Sequence, residues 1–103
     1  MNIPETVNLG WRTYKIEQGE HRSDVNGDLY GEIKYEDNKI FIYRELDNDN
    51  KAVTLLHEMI HWIFYNAGQE DWRKNENLIE CLSENLYQII KANPELFERK
   101  DVS

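Results

Sequence analysis

The sequence predicts an α+β fold, a small antiparallel sheet of about three strands packed on two main helices, in a single domain covering residues 1–103. Three observations predict it. Apolar residues alternate in the first half of the chain, they recur at helical spacing in the second half, and 103 residues suffice for one core only. Residues 12–16 (Arg-Thr-Tyr-Lys-Ile), 29–35 (Leu-Tyr-Gly-Glu-Ile-Lys-Tyr) and Lys39–Tyr43 (Lys-Ile-Phe-Ile-Tyr) are short and rich in β-branched and aromatic side chains, and Gly, Asp and Asn bound them. They read as strands. The second and third are joined by Glu36-Asp37-Asn38, a polar turn in which Asp37 or Asn38 tolerates a left-handed backbone, so they should pair as an antiparallel hairpin. The polar stretch 18–28 reads as a long loop.

Asp47-Asn48-Asp49-Asn50 offers N-cap side chains to a periodic segment over 51–66, which Ala67-Gly68 closes. This is the first helix. A polar connection over 69–74 leads to a second, in which Leu78, Ile79, Leu82, Leu86, Ile89 and Ile90 share one broad arc until Asn93-Pro94 stops it. The remaining tail is charged, with room for one turn around Leu96 and Phe97.

Twenty acidic side chains against 12 basic ones give a net charge of -8, which leaves no basic face to neutralise phosphates. Nucleic acid is not an expected direct partner. The single cysteine, Cys81, forms no internal disulfide, no signal peptide is visible, and no apolar run approaches the roughly 20 residues of a membrane span. These features together predict a cytoplasmic protein.

Within the first helix stands His57-Glu58-Met59-Ile60-His61, an H-E-x-x-H pattern. Residues four apart share one helix face, so both imidazoles reach one metal ion, while Glu58, a third of a turn round, lies beside it. From there Glu58 can take a proton from a water acidified by the ion and pass it to a leaving amine. This is the outline of a zinc hydrolase, with Zn²⁺ as cofactor. Shuffling a chain with 3 His and 13 Glu produces the pattern less than about 1% of the time. The plainer reading is an amphipathic helix with two solvated histidines. Against it, His57, His61 and Phe64 lie on one side and Val53, Leu56, Ile60 and Ile63 on another, so little of the helix is polar. Buried histidines need partners, and a shared metal satisfies both.

A catalytic zinc usually has three protein ligands and one open position. No third histidine follows His61 at the metzincin spacing, so the ligand is a carboxylate or the distant His21. Glu76, Glu80 and Glu84 are spaced four apart on the second helix, and Glu80 is the favoured position because it borders the apolar arc near Ser83 and Tyr87. Glu84, one turn further on, is then placed to accept the outer N–H of His57 or His61 and fix its tautomer. A solvated helix face is the alternative for either carboxylate.

His57-Glu58-x-x-His61, the following Trp62-Ile63-Phe64-Tyr65 and Glu80 within Asn77-Leu78-Ile79-Glu80-Cys81-Leu82-Ser83-Glu84 resemble the ImmA/IrrE-like metallopeptidases, in particular the minimal versions carried by phages and other mobile elements. The resemblance runs over about residues 30–90, and its specific parts are the H-E-x-x-H and the downstream Glu. It implies a minimal zincin-like (gluzincin) fold, His57, His61 and Glu80 as zinc ligands, Glu58 as base, and limited proteolysis of a protein partner such as a phage or mobile-element repressor. Two other classes share the pattern: a zinc-containing regulatory module that binds a peptide without cutting it, which has no need of Glu58, and a SprT-like protease, which wants a basic surface.

The remaining residues carry less. His21 reads as a surface histidine or as a transition-state donor near the cleft, and Asp24-Val25-Asn26-Gly27-Asp28 as a turn, since the distant bidentate Glu of a calcium loop is missing. Trp11, Trp62 and Trp72 read as core or rim packing, and Cys81, on the apolar arc, reads most simply as a small hydrophobe, with a thiolate zinc ligand as the alternative. An extended peptide would be held most simply as an added strand. Lys39–Tyr43, with apolar residues on both faces, is either that edge or the central strand of the sheet.

Overall fold

The computed structural model describes residues 2–20, 22–24 and 27–97, with the side chains of 22–24 and 27–29 excepted. The architecture is α+β, as the two periodicities require. Strands β1 (Thr6–Leu9), β2 (Arg12–Gly19), β5 (Gly31–Lys34) and β6 (Lys39–Tyr43) form one sheet in the order β1-β2-β6-β5, and β3 (Arg22–Asp24) pairs with β4 (Gly27–Leu29) as a separate hairpin. Helices α1 (Asn48–Asn66), α2 (Glu70–Arg73) and α3 (Glu76–Ala92) follow, then a 3-10 turn at Pro94–Leu96.

The sheet departs from the expected antiparallel arrangement of about three strands. The hairpin forms as predicted, with Ile33 opposite Ile40 and Asn38 at a φ of 52° in its turn. However, β6 also pairs with β2 in parallel, Ile16 opposite Ile40, because the chain leaves β2, runs through β3, β4 and β5, and returns alongside it. Lys39–Tyr43 is therefore central, and the edges are β1 and β5. The stretch read as a loop holds the end of β2 and both strands of the small hairpin. Strand β1 is four residues long and carries two apolar side chains, too short a run for alternation to register.

One face of the sheet packs on α1. Leu9, Tyr14, Ile16, Ile40 and Ile42 meet Leu55 in a buried cluster, and Ala52 and Leu56 on another side of α1 meet Tyr87 of α3. Helix α1 begins where Asp47 Oδ1 accepts the Asn50 N–H at 2.7 Å and ends at Gly68, whose φ of 72° turns the chain back. After the short α2, Asn75 Oδ1 accepts the Leu78 N–H at 3.0 Å and caps α3. The two long helices are antiparallel, tied at one end by Tyr87 Oη donating to Asp49 at 2.6 Å and Lys91 Nζ at 2.8 Å.

The arc on α3 is wider than the contact that covers it. Ile79, Ser83 and Tyr87 are buried, whereas Leu82, Leu86, Ile89 and Cys81 are exposed, so Cys81 is not the core hydrophobe expected of it. Among the described residues, no helix is long and apolar enough to cross a membrane.

Candidate metal centre

Helical spacing stacks His57 and His61 on one flank of α1, with ring centroids 5.0 Å apart. Reversal of the chain through Gly68 and α2 then starts α3 directly opposite them, and the first residue of α3 is Glu76. Its two carboxylate oxygens lie 3.0 Å from His57 Nε2 and 3.0 Å from His61 Nε2, and the two Nε2 atoms are 3.3 Å apart. One ligand atom from each of the three residues falls within 4.8 Å of the others, an arrangement able to hold a metal ion. Both imidazoles are largely buried while Glu76 remains 64% exposed, so the donors are fixed from the helix side and open toward the cleft.

The third residue of the group that could hold an ion is thus Glu76, in place of the favoured Glu80. Glu80 and Glu84 sit one and two turns further along α3, where they line the wall of a cavity of about 590 Å³ together with Tyr30, Gly31, His57 and Glu58. Among the described residues, neither makes a hydrogen bond or ion pair to either histidine. The physical reason is the cap. Asn75 begins α3 level with the histidine pair, so the first turn of the helix, not the second, meets the metal position. His61 is hydrogen-bonded instead by the backbone of Arg73, which takes the orienting role expected of Glu84. Burial holds the His61 pKa below its usual value, with Glu76 opposing and His57 reinforcing, which keeps a lone pair free for a metal. His21 lies outside the described residues, as do Val25 and Asn26 of the predicted turn.

Glu58 is 6% exposed and points between α1 and the start of β5. Burial pushes its carboxyl up to about 8, the negative charges of Glu76 and Glu32 add to the rise, and a backbone hydrogen bond from Ile33 opposes it. A carboxyl poised near neutrality suits a general base, and a cation held beside it would lower the value further. Because the folded protein binds this proton more tightly than the unfolded chain, the contribution of Glu58 to stability is greatest below its unfolded pKa near 4.5 and is lost as pH rises toward about 8. In metal-free protein, Glu58→Gln should therefore gain stability over wild type by roughly 2–3 kcal/mol more at about pH 9 than at about pH 6, read from urea unfolding.

The edge strand closes on this residue without space to spare. A Cβ at Gly31 would stand 2.4 Å from Thr54 Cγ2 and 3.2 Å from Glu58 Oε2. Gly31→Ala should cost about 1–3 kcal/mol by overpacking. Adding Thr54→Ala removes the colliding methyl and should return most of that loss in thermal unfolding.

Sequence reasoning missed Tyr35, Tyr65 and Arg73. Tyr35 and Tyr65 stack with centroids 4.0 Å apart, and the Arg73 guanidinium carbon lies 5.9 Å from the Tyr35 centroid. Burial pushes the Tyr35 hydroxyl up, with Arg73 opposing. For Tyr65 a signal existed, since Glu58, His61 and Tyr65 follow one another at spacings of three and four on α1. Trp72 packs edge-on to Phe64 at 5.7 Å, consistent with rim packing. Compared with protein-family models, with curated proteins and with solved structures, the chain finds no match.

Proposed function

We propose that the chain is a zinc-dependent endopeptidase, a metallopeptidase of the ImmA/IrrE-like kind that its motif resembles, acting in the cytoplasm on a protein partner such as a phage or mobile-element repressor. One observation carries this reading: His57, His61 and Glu76 converge within 4.8 Å beside a buried carboxyl that belongs to none of the donor positions. A purely structural site has no use for Glu58, whose burial is a standing cost. The donors also suit zinc. They are two imidazoles and a carboxylate, and the two Nε2 atoms, 3.3 Å apart, match the edge of about 3.3 Å in a tetrahedron with bonds of about 2.0–2.1 Å.

When bound, the ion supplies Lewis acidity, acidifying water and polarising a carbonyl. The protein supplies the rest. Glu58 takes a proton from the attacking water and returns it to the leaving amine, and the peptide is held extended beside the edge strand β5. Strand β5 takes this role in place of Lys39–Tyr43, because it is the sheet edge and its residue Gly31 approaches Glu58. The net charge of -8 counts against a SprT-like protease working on DNA-bound protein.

The experiment is to load purified protein with Zn²⁺ and incubate it with a pool of blocked, randomised octapeptides. Cleavage that stops on chelation and returns with Zn²⁺ is the expected result. A zinc-loaded protein that binds peptides and cuts none would leave the regulatory binding module as the reading.

A further inference from the structure

The four charged side chains of α3, Glu76, Glu80, Glu84 and Lys91, all fall on one side of the helix, within about 80° at about 100° per residue. That side turns toward the metal cleft and, at Lys91, toward Asp49 of α1. Away from it, an arc of about 100° holds Leu78, Leu82, Asn85, Leu86, Ile89 and the C-cap Asn93, and no charge. This uncharged arc is the one that meets solvent. Leu82 is 41% exposed, Leu86 38% and Ile89 52%, while the covered residues Ile79, Ser83 and Tyr87 lie to one side of it. A solvated helix carries its charges outward, and α3 does the reverse in a chain of which 31% is charged. Its two polar members are already bonded to the helix: Asn85 Nδ2 donates to the Cys81 carbonyl at 2.8 Å, and Asn93 Nδ2 to the Ile89 carbonyl at 3.0 Å. Both can therefore be covered without stranding a donor.

The arc is complementary to itself. Turned antiparallel about a point midway between Asn85 and Leu86, the six positions map onto the same six: Leu78 meets Asn93 of a second copy, Leu82 meets Ile89, and Asn85 meets Leu86. An isologous contact requires one patch to match its own reverse in this way. The spacings of four and three along Leu78, Leu82, Asn85 and Ile89 are also those of a helix-pair seam. Antiparallel order sets each helix N-terminus beside the other's C-terminus, which the macrodipoles favour. Residues 98–103 carry one apolar side chain, Val102, and do not supply a cover of their own.

We propose that this side of α3 is a self-association surface, on which a second copy of the chain lays its own α3 antiparallel about a two-fold axis between Asn85 and Leu86. The proposal does not depend on the endopeptidase reading. Because Glu80 and Glu84 stand about 200° round α3 from Leu82 and Leu86, both metal clefts stay open in the pair. A strip about 25 Å long and one helix wide, about 10–12 Å, is smaller than the roughly 800 Å² per partner of a standard interface, so the dimer is weak and reversible.

Sedimentation equilibrium of the full chain tests this. Between about 5 μM and about 500 μM the mass should climb from 12.4 kDa toward twice that value. Leu82→Glu should weaken association by at least about tenfold, because a charge enters an apolar contact with no counter-charge. The position is exposed in the single chain, so far-UV circular dichroism at the lowest concentration should not change. Asn85→Asp, a change of little volume, sets two carboxylates against each other at the axis and should weaken the dimer less in high salt than in low. Adding Ile89→Lys to Leu82→Glu places opposite charges across the axis at two symmetric points and should restore association. A chain that stays at 12.4 kDa throughout would overturn the proposal and leave the face to a different protein. A dimer indifferent to Leu82→Glu and Asn85→Asp, or a double variant that stays monomeric, would overturn it as well.

Discussion

Glu58→Gln is expected to keep the fold and the metal while slowing peptide cleavage by about 10²-fold or more, the scale of general-base catalysis. The amide has the same shape, and it can still accept the backbone hydrogen bond of Ile33 that anchors the side chain. What it cannot do is hold a proton in transit between water and the leaving amine. Loss of the buried charge also relieves a cost, since the carboxyl lies 6% exposed close to Glu76 and Glu32. The variant should therefore be slower and, at alkaline pH, more stable, and this opposite movement distinguishes loss of chemistry from damage to the fold. Equal cleavage rates for the variant and wild type would mean that Glu58 is not the base.

The second large effect concerns the third donor. Glu76→Gln should weaken zinc binding by at least about 100-fold, the upper end of what changes outside the donor set cost, because it replaces with a neutral amide a carboxylate whose two oxygens lie 3.0 Å from His57 and 3.0 Å from His61. Glu80→Gln and Glu84→Gln, on the cavity wall, should change it by less than about threefold. Competition against a chromophoric zinc chelator measures all three. If Glu80→Gln loses the metal and Glu76→Gln retains it, α3 is shifted by one turn relative to α1.

That one turn shows where sequence reading stops. Helical period placed three carboxylates on one stripe, and the stripe does face the cleft, with Glu76, Glu80 and Glu84 all lining it. Choosing among them requires the axial offset between two antiparallel helices. That offset is set by Gly68, α2 and the Asn75 cap, and no residue of the stripe encodes it. The pairing of His57 with His61 on one flank, with Glu58 beside them, was legible because all three lie within five residues of one helix, where geometry is local. The hairpin of β5 and β6 was legible for the same reason, down to the left-handed Asn38. The parallel pairing of β2 with β6 joins residues 24 apart in sequence, such as Ile16 and Ile40, and leaves no local trace. Exposure on α3 was misjudged because Leu82, Leu86 and Ile89 belong to the apolar arc by period yet fall outside the strip that α1 covers.

The most direct measurement is X-ray absorption at the zinc edge, on protein loaded with Zn²⁺ and dialysed against buffer. We expect about one zinc per chain in a shell of nitrogen and oxygen at about 2.0–2.2 Å, with the scattering pattern of two imidazoles and no sulfur near 2.3 Å. Failure to retain zinc, or a sulfur in its shell that implicates Cys81, would contradict the site built from His57, His61 and Glu76.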